Sequence, residues 1–277
     1  MGSRSSTISV IVPAYNEEDT IGALLENLRQ LKPEEIIVAD GNSTDRTAEI
    51  AVQSARVVTS ARGRGIQMNA GARESSGDVL LFLHADVRLH PSGLEKIRES
   101  LRDPSIVGGD FDVRYQGGDW MAAIFTSVNR WRRRAGIFYG DSGIFCRRSV
   151  FEALGGYRPW PVLEDYDFVR RLRKAGKLVL LNEPVWVSDR RWRNLGLFRT
   201  VWSWFWIQTL FFAGVRPERL AMLYRDTRSG DSPVGVCPNS LNGRAGSFRR
   251  PQDVSCGASQ RTECATTVTL SNGSEKE

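Results

Sequence analysis

The chain has 277 residues, 41% of them hydrophobic, which is enough for a catalytic-size domain with an appendage and too much for a peptide-sized module. A net charge of +6 and a pI near 9.4 favour contact with phosphates, anionic lipid or nucleic acid without choosing among them. Four scattered cysteines with no C-x-x-C spacing exclude a disulfide framework and a structural zinc, and point to a reducing compartment.

Residues 1–7 form a polar leader with no long apolar run behind it, so no secretory signal is expected and the cytoplasm is the expected location. From Ile8 to Asp86, short β-branched runs alternate with helical stretches, the rhythm of parallel strands joined by crossover helices. Residues 8–12 read as a strand stopped by Pro13. Asn16 is the expected cap of a helix carrying Ile21, Leu24, Leu25, Leu28 and Leu31 at helical spacing. Residues 36–39 form a second strand that delivers Asp40 to its C-terminal end. Ser43 or Thr44 is the expected cap of the next helix, and residues 56–59 are a third strand. Arg62-Gly63-Arg64-Gly65 precedes a helix containing Gln67, Asn69 and Gly71. Residues 79–83 form an apolar fourth strand, as expected of one covered on both faces.

Beyond Pro91 the alternation loosens. The pattern predicts a helix to Leu101, a strand over 111–115, a helix over 119–134, a strand over 140–148, a short helix over 149–154, a basic helix over 165–175 closed by Gly176, and a strand over 178–181. Residues 132–134 and 170–173, rich in arginine, read as solvated faces. Residues 195–228 form an aromatic and basic helical segment. Its centre, 200–215, is uncharged and contains Trp202, Trp204, Trp206, Phe205, Phe211 and Phe212. That is shorter than the roughly 20 apolar residues of a bilayer span, leaving a packed helix or an interfacial one with basic flanks. Residues 229–277 are poor in large apolar side chains and read as a disordered tail; its five basic and five acidic residues cancel.

Polar residues just after apolar strands matter most, because ligands of open parallel sheets collect at the strands' carboxyl ends. Asp40, followed by Gly41-Asn42-Ser43-Thr44-Asp45, can accept from a nucleotide base or ribose, or can merely organise its turn; taken alone, the turn reading is the stronger. His84 and Asp86 stand at i and i+2 after the fourth strand. A carboxylate there suits Mg²⁺ or Mn²⁺, which takes its other ligands from phosphate and water. His84 alone reads as a structural group. Arg62 and Gly63 fit a phosphate-cradling loop or a charged surface loop. Glu164 and Asp165 follow the rigid Pro159-Trp160-Pro161 and start a helix, where capping and catalysis are both served by an anion.

In order and spacing, four segments together resemble the second family of inverting nucleotide-sugar glycosyltransferases with the GT-A fold, from Ile8 to Arg228. They are Val10-Ile11-Val12-Pro13-Ala14-Tyr15-Asn16-Glu17-Glu18, Asp40 to Asp45, Arg62 through Asp86, and Glu164-Asp165. His84-Ala85-Asp86, Gly140-Asp141-Ser142-Gly143 and Arg190-Arg191-Trp192 are similar to its radical-SAM and selenodomain-associated subgroup. The resemblance implies a Rossmann-like α/β fold over 8–194, with a mostly parallel sheet and helices on both faces. It implies a nucleoside diphosphate sugar donor, UDP- or GDP-linked, contacted by Pro13, Tyr15, Glu17, Asp40, Arg62, Gly63, Asn69, His84, Arg190 and Arg191. It further implies Mg²⁺ or Mn²⁺ on Asp86, Asp165 as general base beside Glu164, and an acceptor region at Asp141 and Trp160. The acceptor is a lipid or a small molecule and nucleic acid is not a partner. Peripheral membrane contact through 195–216 and a homodimer are compatible with it. Two features depart from the family: the usual Asp-x-Asp is His-x-Asp, and the late histidine is absent, with Asp189, Arg190 or Arg191 as substitutes. The competing readings are a nucleotidyltransferase or pyrophosphorylase, whose longer glycine-rich first loop is missing, and a non-catalytic basic membrane-surface protein.

Overall fold

The computed structural model describes residues 6–116, 120–134, 139–188 and 197–222. Asp189, Arg190, Arg191, Trp192 and the tail over 229–277 lie outside these. The elements run β1 (Ile8–Ala14), α1 (Ile21–Leu31), β2 (Glu35–Asp40), α2 (Thr47–Ala51), β3 (Arg56–Thr59), α3 (Arg64–Glu74), β4 (Val79–Phe82) and β5 (Val87–Leu89). They continue with α4 (Gly93–Ser100), β6 (Ile106–Tyr115), α5 (Trp120–Arg134), β7 (Ile144–Arg147), α6 (Arg148–Ala153), α7 (Glu164–Ala175), β8 (Lys177–Val187), α8 (Leu197–Phe212) and α9 (Pro217–Ala221).

One eight-stranded sheet has the order β3-β2-β1-β4-β7-β6-β8-β5. Neighbours are parallel from β3 through β4 and again between β6 and β8; β7 runs antiparallel to both its neighbours, and β5 to β8. The two-residue period of the strands divides the core into two layers. Val10 and Val12 of β1, with Leu81 of β4, pack with Leu24 and Leu28 of α1; Ile11 and Phe82 face the other way, toward Met68 of α3 and Phe168 of α7. The second layer is tight. A Cβ on Gly71 would come within 2.6 Å of Ile11 Cγ2, so only glycine lets α3 approach β1 this closely.

Several local expectations give way. Asn16 caps no helix: it takes the left-handed conformation at φ 50°, four residues ahead of the Thr20 boundary, and its Oδ1 accepts from Thr44 N at 2.9 Å. Ser43 and Thr44 do not cap α2 either. Asp45 Oδ1 accepts from Thr47 N at 3.0 Å instead, because a carboxylate two residues ahead of Thr47 closes a tighter turn. Residues 140–142 are a 3-10 turn and the strand is only Ile144–Arg147, since Gly143 at φ 68° bends the chain before pairing starts. The short edge strand β5 has no sequence signature, and β6 and β8 are longer than their apolar runs. The extra length of β6, residues 106–110, contains Asp110, which like Asp112 is paired to an arginine of α5. Arg133 donates to Asp110 through Nε at 2.8 Å and Nη2 at 2.9 Å, while Arg130 takes Asp112 at 2.6 Å. The arginines around 133 and 171 are thus not simply solvated. Arg132 covers the Tyr139 ring at 4.4 Å, and Arg171 donates to Asp167 and to the carbonyls of Leu154 and Gly156.

α8 answers to both readings of its aromatic sequence. Ile207, Leu210 and Phe211 pack inward with Val162, Leu220 and Ala221, whereas Trp202, Trp206 and Phe212 are exposed.

Candidate active site

The carboxyl ends of β1, β2 and β4 lie side by side, and their loops are stitched together. Gln67 of α3 donates through Nε2 to Ala14 O at 2.6 Å and Ala39 O at 2.9 Å, holding the last residues of β1 and β2 at one spacing. The loop after β1 hangs on the loop after β2: Asn16 N donates to Ser43 Oγ, Glu17 N to Thr47 Oγ1 and Glu18 N to Asp45 Oδ2. Asp40 is buried and accepts from Ser43 N at 3.0 Å and Ser43 Oγ at 2.5 Å, so its turn-organising role is real. Pro13 does not stop β1 as expected: it pairs in register with Ala39, and the strand runs on to Ala14 opposite Asp40. Tyr15 is stacked by the Arg62 guanidinium at 4.0 Å, and Glu17 is buried and accepts from Thr20 Oγ1. Gly63, at φ 139°, opens α3. Asn69 uses both amide atoms on the Tyr157 backbone, at 2.8 and 2.9 Å.

A second set of groups converges where β4, the 140–142 turn and α7 meet. Asp165, 7% exposed at the start of α7, accepts from Gly140 N at 2.7 Å through Oδ2 and from Tyr166 N at 2.7 Å through Oδ1. His84 comes to the same glycine: a Cβ on Gly140 would lie 2.7 Å from His84 Nε2 and 3.3 Å from Asp165 Oδ2. Asp141 accepts from Tyr115 Oη at 3.2 Å, and Asn129 donates to that hydroxyl at 3.0 Å. Removal from water pushes the Asp141 carboxyl up to about 6; the negative charges of Asp165 and Asp86 add to this, while Arg132 and the Tyr115 hydroxyl oppose it. Asp86, Asp141 and Asp165 therefore form one electrostatic group, although they come from three separate segments.

Glu164 is 1% exposed, and Arg64 Nε lies 2.7 Å from its Oε1. The N–H does not point at that oxygen, so neither carboxylate oxygen receives an aligned hydrogen bond among the described residues. Burial pushes Glu164 up to about 7, against the Arg64 charge and helped by Asp165. This contact ties the first turn of α3, next to the Arg62 loop, to the first turn of α7, which carries Asp165.

Among the described residues, no three His, Cys, Asp or Glu side chains converge to cage a metal ion. The donor set that is present, one carboxylate at Asp86 within an acidic group, fits a hard divalent cation that draws its other ligands from a diphosphate and water. It would not fit a metal held by protein alone. Trp160 packs edge-on against Phe211 at 6.0 Å. Reading the sequence missed Gly140 as partner of Asp165, Arg64 as partner of Glu164, and Tyr115 and Asn129 beneath Asp141. The glycine and serine pattern of 140–143 was the available signal for the first.

Comparison with known proteins bears on this arrangement. The family model for glycosyl transferase family 2 matches residues 9–155, just over half of the chain, stopping short of Asp165. The undecaprenyl-phosphate 4-deoxy-4-formamido-L-arabinose transferase of Pectobacterium carotovorum is 28% identical over 155 residues, 50% of this chain and 47% of that protein. The beta-monoglucosyldiacylglycerol synthase of Synechocystis is 26% identical over 250 residues, 73% of this chain and 50% of that protein. The chain thus spans about half the length of these curated relatives. Among solved structures, glucosyl-3-phosphoglycerate synthase from Mycobacterium tuberculosis, in complex with Mn²⁺, UDP and glucosyl-3-phosphoglycerate, matches with a TM-score of 0.50 at 25% identity, covering 65% of this chain and 70% of that one.

Proposed function

The chain belongs to glycosyl transferase family 2, and from that premise we propose that it moves a sugar from a nucleoside diphosphate sugar to an acceptor hydroxyl with inversion. The observation that carries the proposal is the Arg64 to Glu164 contact, which ties the first turn of α3, the helix whose Gln67 holds the ends of β1 and β2, to the first turn of α7, which carries Asp165. The donor's nucleotide lies along Pro13, Tyr15, Glu17, Asp40, Arg62 and Gly63, with Asn69 supporting α3 and His84 beside the sugar. Arg190 and Arg191 are further donor contacts. Asp86 would hold Mg²⁺ or Mn²⁺, which when bound offsets charge growing on the leaving diphosphate.

Asp165 takes the proton of the acceptor hydroxyl. The new bond forms from that oxygen to the anomeric carbon as the bond to the diphosphate breaks, and the nucleoside diphosphate leaves. Gly140 N and Tyr166 N fix the carboxylate before substrate arrives, and such proton transfer contributes about 10² to 10⁴ in rate. Asp141 and Trp160 face the acceptor.

UDP with Mn²⁺ is expected to raise the melting temperature. Asp86→Ala should remove the rise, and Asp165→Asn should keep it while abolishing transfer. No change in melting across a panel of nucleotides would sink the proposal.

No described helix is long and apolar enough to cross a membrane. Apart from Val52, the large apolar side chains that stand exposed among the described residues are Ile124, Val128 and Trp131 of α5, Trp202, Trp206 and Phe212 of α8, and Met222 after α9. This concentration supports peripheral contact with lipid. Equal co-sedimentation of the wild type and a Trp202→Ser/Trp206→Ser variant with anionic liposomes would remove that part of the reading.

A further inference from the structure

We propose that the cleft between the 158–160 loop, α7 and α8 receives a phosphate group carried by the acceptor. The inference rests on the transferase reading above and narrows its acceptor class.

The cleft has a volume of about 190 Å³. Ligand pockets for whole drug-sized molecules run to about 300–1,000 Å³, so this one suits a head group rather than a nucleotide. Four cations, Arg158, Arg170, Arg171 and Lys174, line it against one carboxylate, Asp167. That carboxylate is already taken by Arg171 Nε at 2.8 Å and Arg158 Nη1 at 3.3 Å. Arg171 is further committed to two backbone carbonyls. Arg170 and Lys174 are different: both are exposed, and neither makes an ion pair or hydrogen bond with a described residue.

Tyr166, Arg170 and Lys174 succeed one another at i, i+4 and i+8 on one face of α7, each step rising about 6 Å. The stripe begins at the residue that follows Asp165. Arg170 lies five residues beyond Asp165, about 7.5 Å along the axis and about 140° around it, so an acceptor held there reaches Asp165 only with its hydroxyl several bonds from the phosphorus, passing round the first turn of α7. The opposite wall is aromatic, with Phe211 edge-on to both Trp160 at 6.0 Å and Tyr166 at 5.8 Å. Unpaired cations beside aromatic faces match a phosphate attached to organic bulk. The phosphate is a handle here and not the nucleophile. A hydroxyl of the same molecule attacks, loses its proton to Asp165 and displaces the nucleoside diphosphate.

A merely solvated basic face would show no saturable binding. The test titrates inorganic phosphate against the full chain, with UDP and Mg²⁺ present to occupy the donor side, and reads tryptophan fluorescence. Saturable binding is expected, weakened at least 10-fold in Arg170→Gln/Lys174→Gln. Absence of saturation, or equal affinity in the variant, overturns the proposal. The rise in melting temperature with UDP is measured on the same samples. If it is present while phosphate fails, the phosphate handle is wrong; if it is absent, the transferase reading itself has failed. Two further arms identify the source of the phosphate. Glycerol phosphate competing with inorganic phosphate supports a soluble acceptor, phosphatidylglycerol vesicles competing where phosphatidylcholine vesicles do not support a lipid head group, and competition by neither overturns the handle.

Discussion

Around the ends of β1 and β2, polar side chains mostly bind backbone: Gln67 takes two strand-end carbonyls, Asn16 takes Thr44 N and Asp45 takes Thr47 N. Around β6, α5 and α7 they are buried and charged, as in Asp110 with Arg133 and Glu164 with Arg64. Asp45 of the first region and the most deeply buried acids of the second respond to protons in opposite directions, although Asp112, held by Arg130, is lowered like Asp45. At Asp45, partial burial raises the pKa, but hydrogen bonds from Thr47 and Glu18 together outweigh it and hold the carboxyl below its ordinary value. Burial pushes Asp110 up to about 6 despite Arg133, and Glu164 up to about 7. Asp45 is thus stabilised as the anion, while Asp110 and Glu164 are buried at a cost in stability. Function explains the second pattern better than stability does.

The contrast can be broken, or sharpened, by four substitutions. The largest effect is expected from Arg133→Met, which leaves Asp110 buried without its cation; urea denaturation at pH 7.5 should show a loss of about 3–5 kcal/mol. A loss under about 1 kcal/mol would mean that the charge network of the second region is dispensable. Gln67→Ala strands two carbonyls and should cost about 1–3 kcal/mol, with UDP binding weakened as the ends of β1 and β2 drift apart. Unaltered UDP binding would separate the stitch from the donor site.

Glu164→Gln should act through pH. Because the folded carboxyl holds its proton up to about 7 and the unfolded one only to the ordinary 4.5, the wild type loses stability as pH rises between those values. The variant should be more stable by about 1 kcal/mol at pH 8.5 and equal to the wild type at pH 5. The smallest effect, under about 1 kcal/mol, is expected from Asp45→Asn, with the opposite sign. A lowered pKa adds stability above the unfolded value that disappears as pH falls through the folded one, so the variant should be weaker at pH 7 and matched at pH 3. Melting curves across pH for both variants decide whether the two regions differ as described.

The first region was the legible one. Its strands are short β-branched runs, its helices carry apolar residues at regular spacing, and Asp40 and Asp86 stand directly behind apolar strands, so periodicity alone locates them. The order β3-β2-β1-β4 then follows from right-handed crossovers. The second region was poorly legible, because its organisation depends on pairs far apart in the chain. Arg133 was read as solvated since nothing near it in sequence shows that Asp110 lies opposite; Arg64 and Glu164 are separated by 100 residues. A charged residue in β6 hides its true length, as the predicted strand begins only after Asp110. The role proposed for Asp165 rests only on the resemblance, since an acid at a helix start is equally good as a cap.

Gly140 places a backbone N–H on Asp165, the proposed base, and, by lacking a side chain, leaves room for His84 at the same point. The orientational entropy of the Asp165 carboxylate is therefore lost during folding and not on the way to the transition state. Main-chain support also means that the alignment cannot be tuned by exchanging one side chain for another. Any drift of the base requires moving the turn ahead of β7, and with it the register of the sheet's antiparallel half.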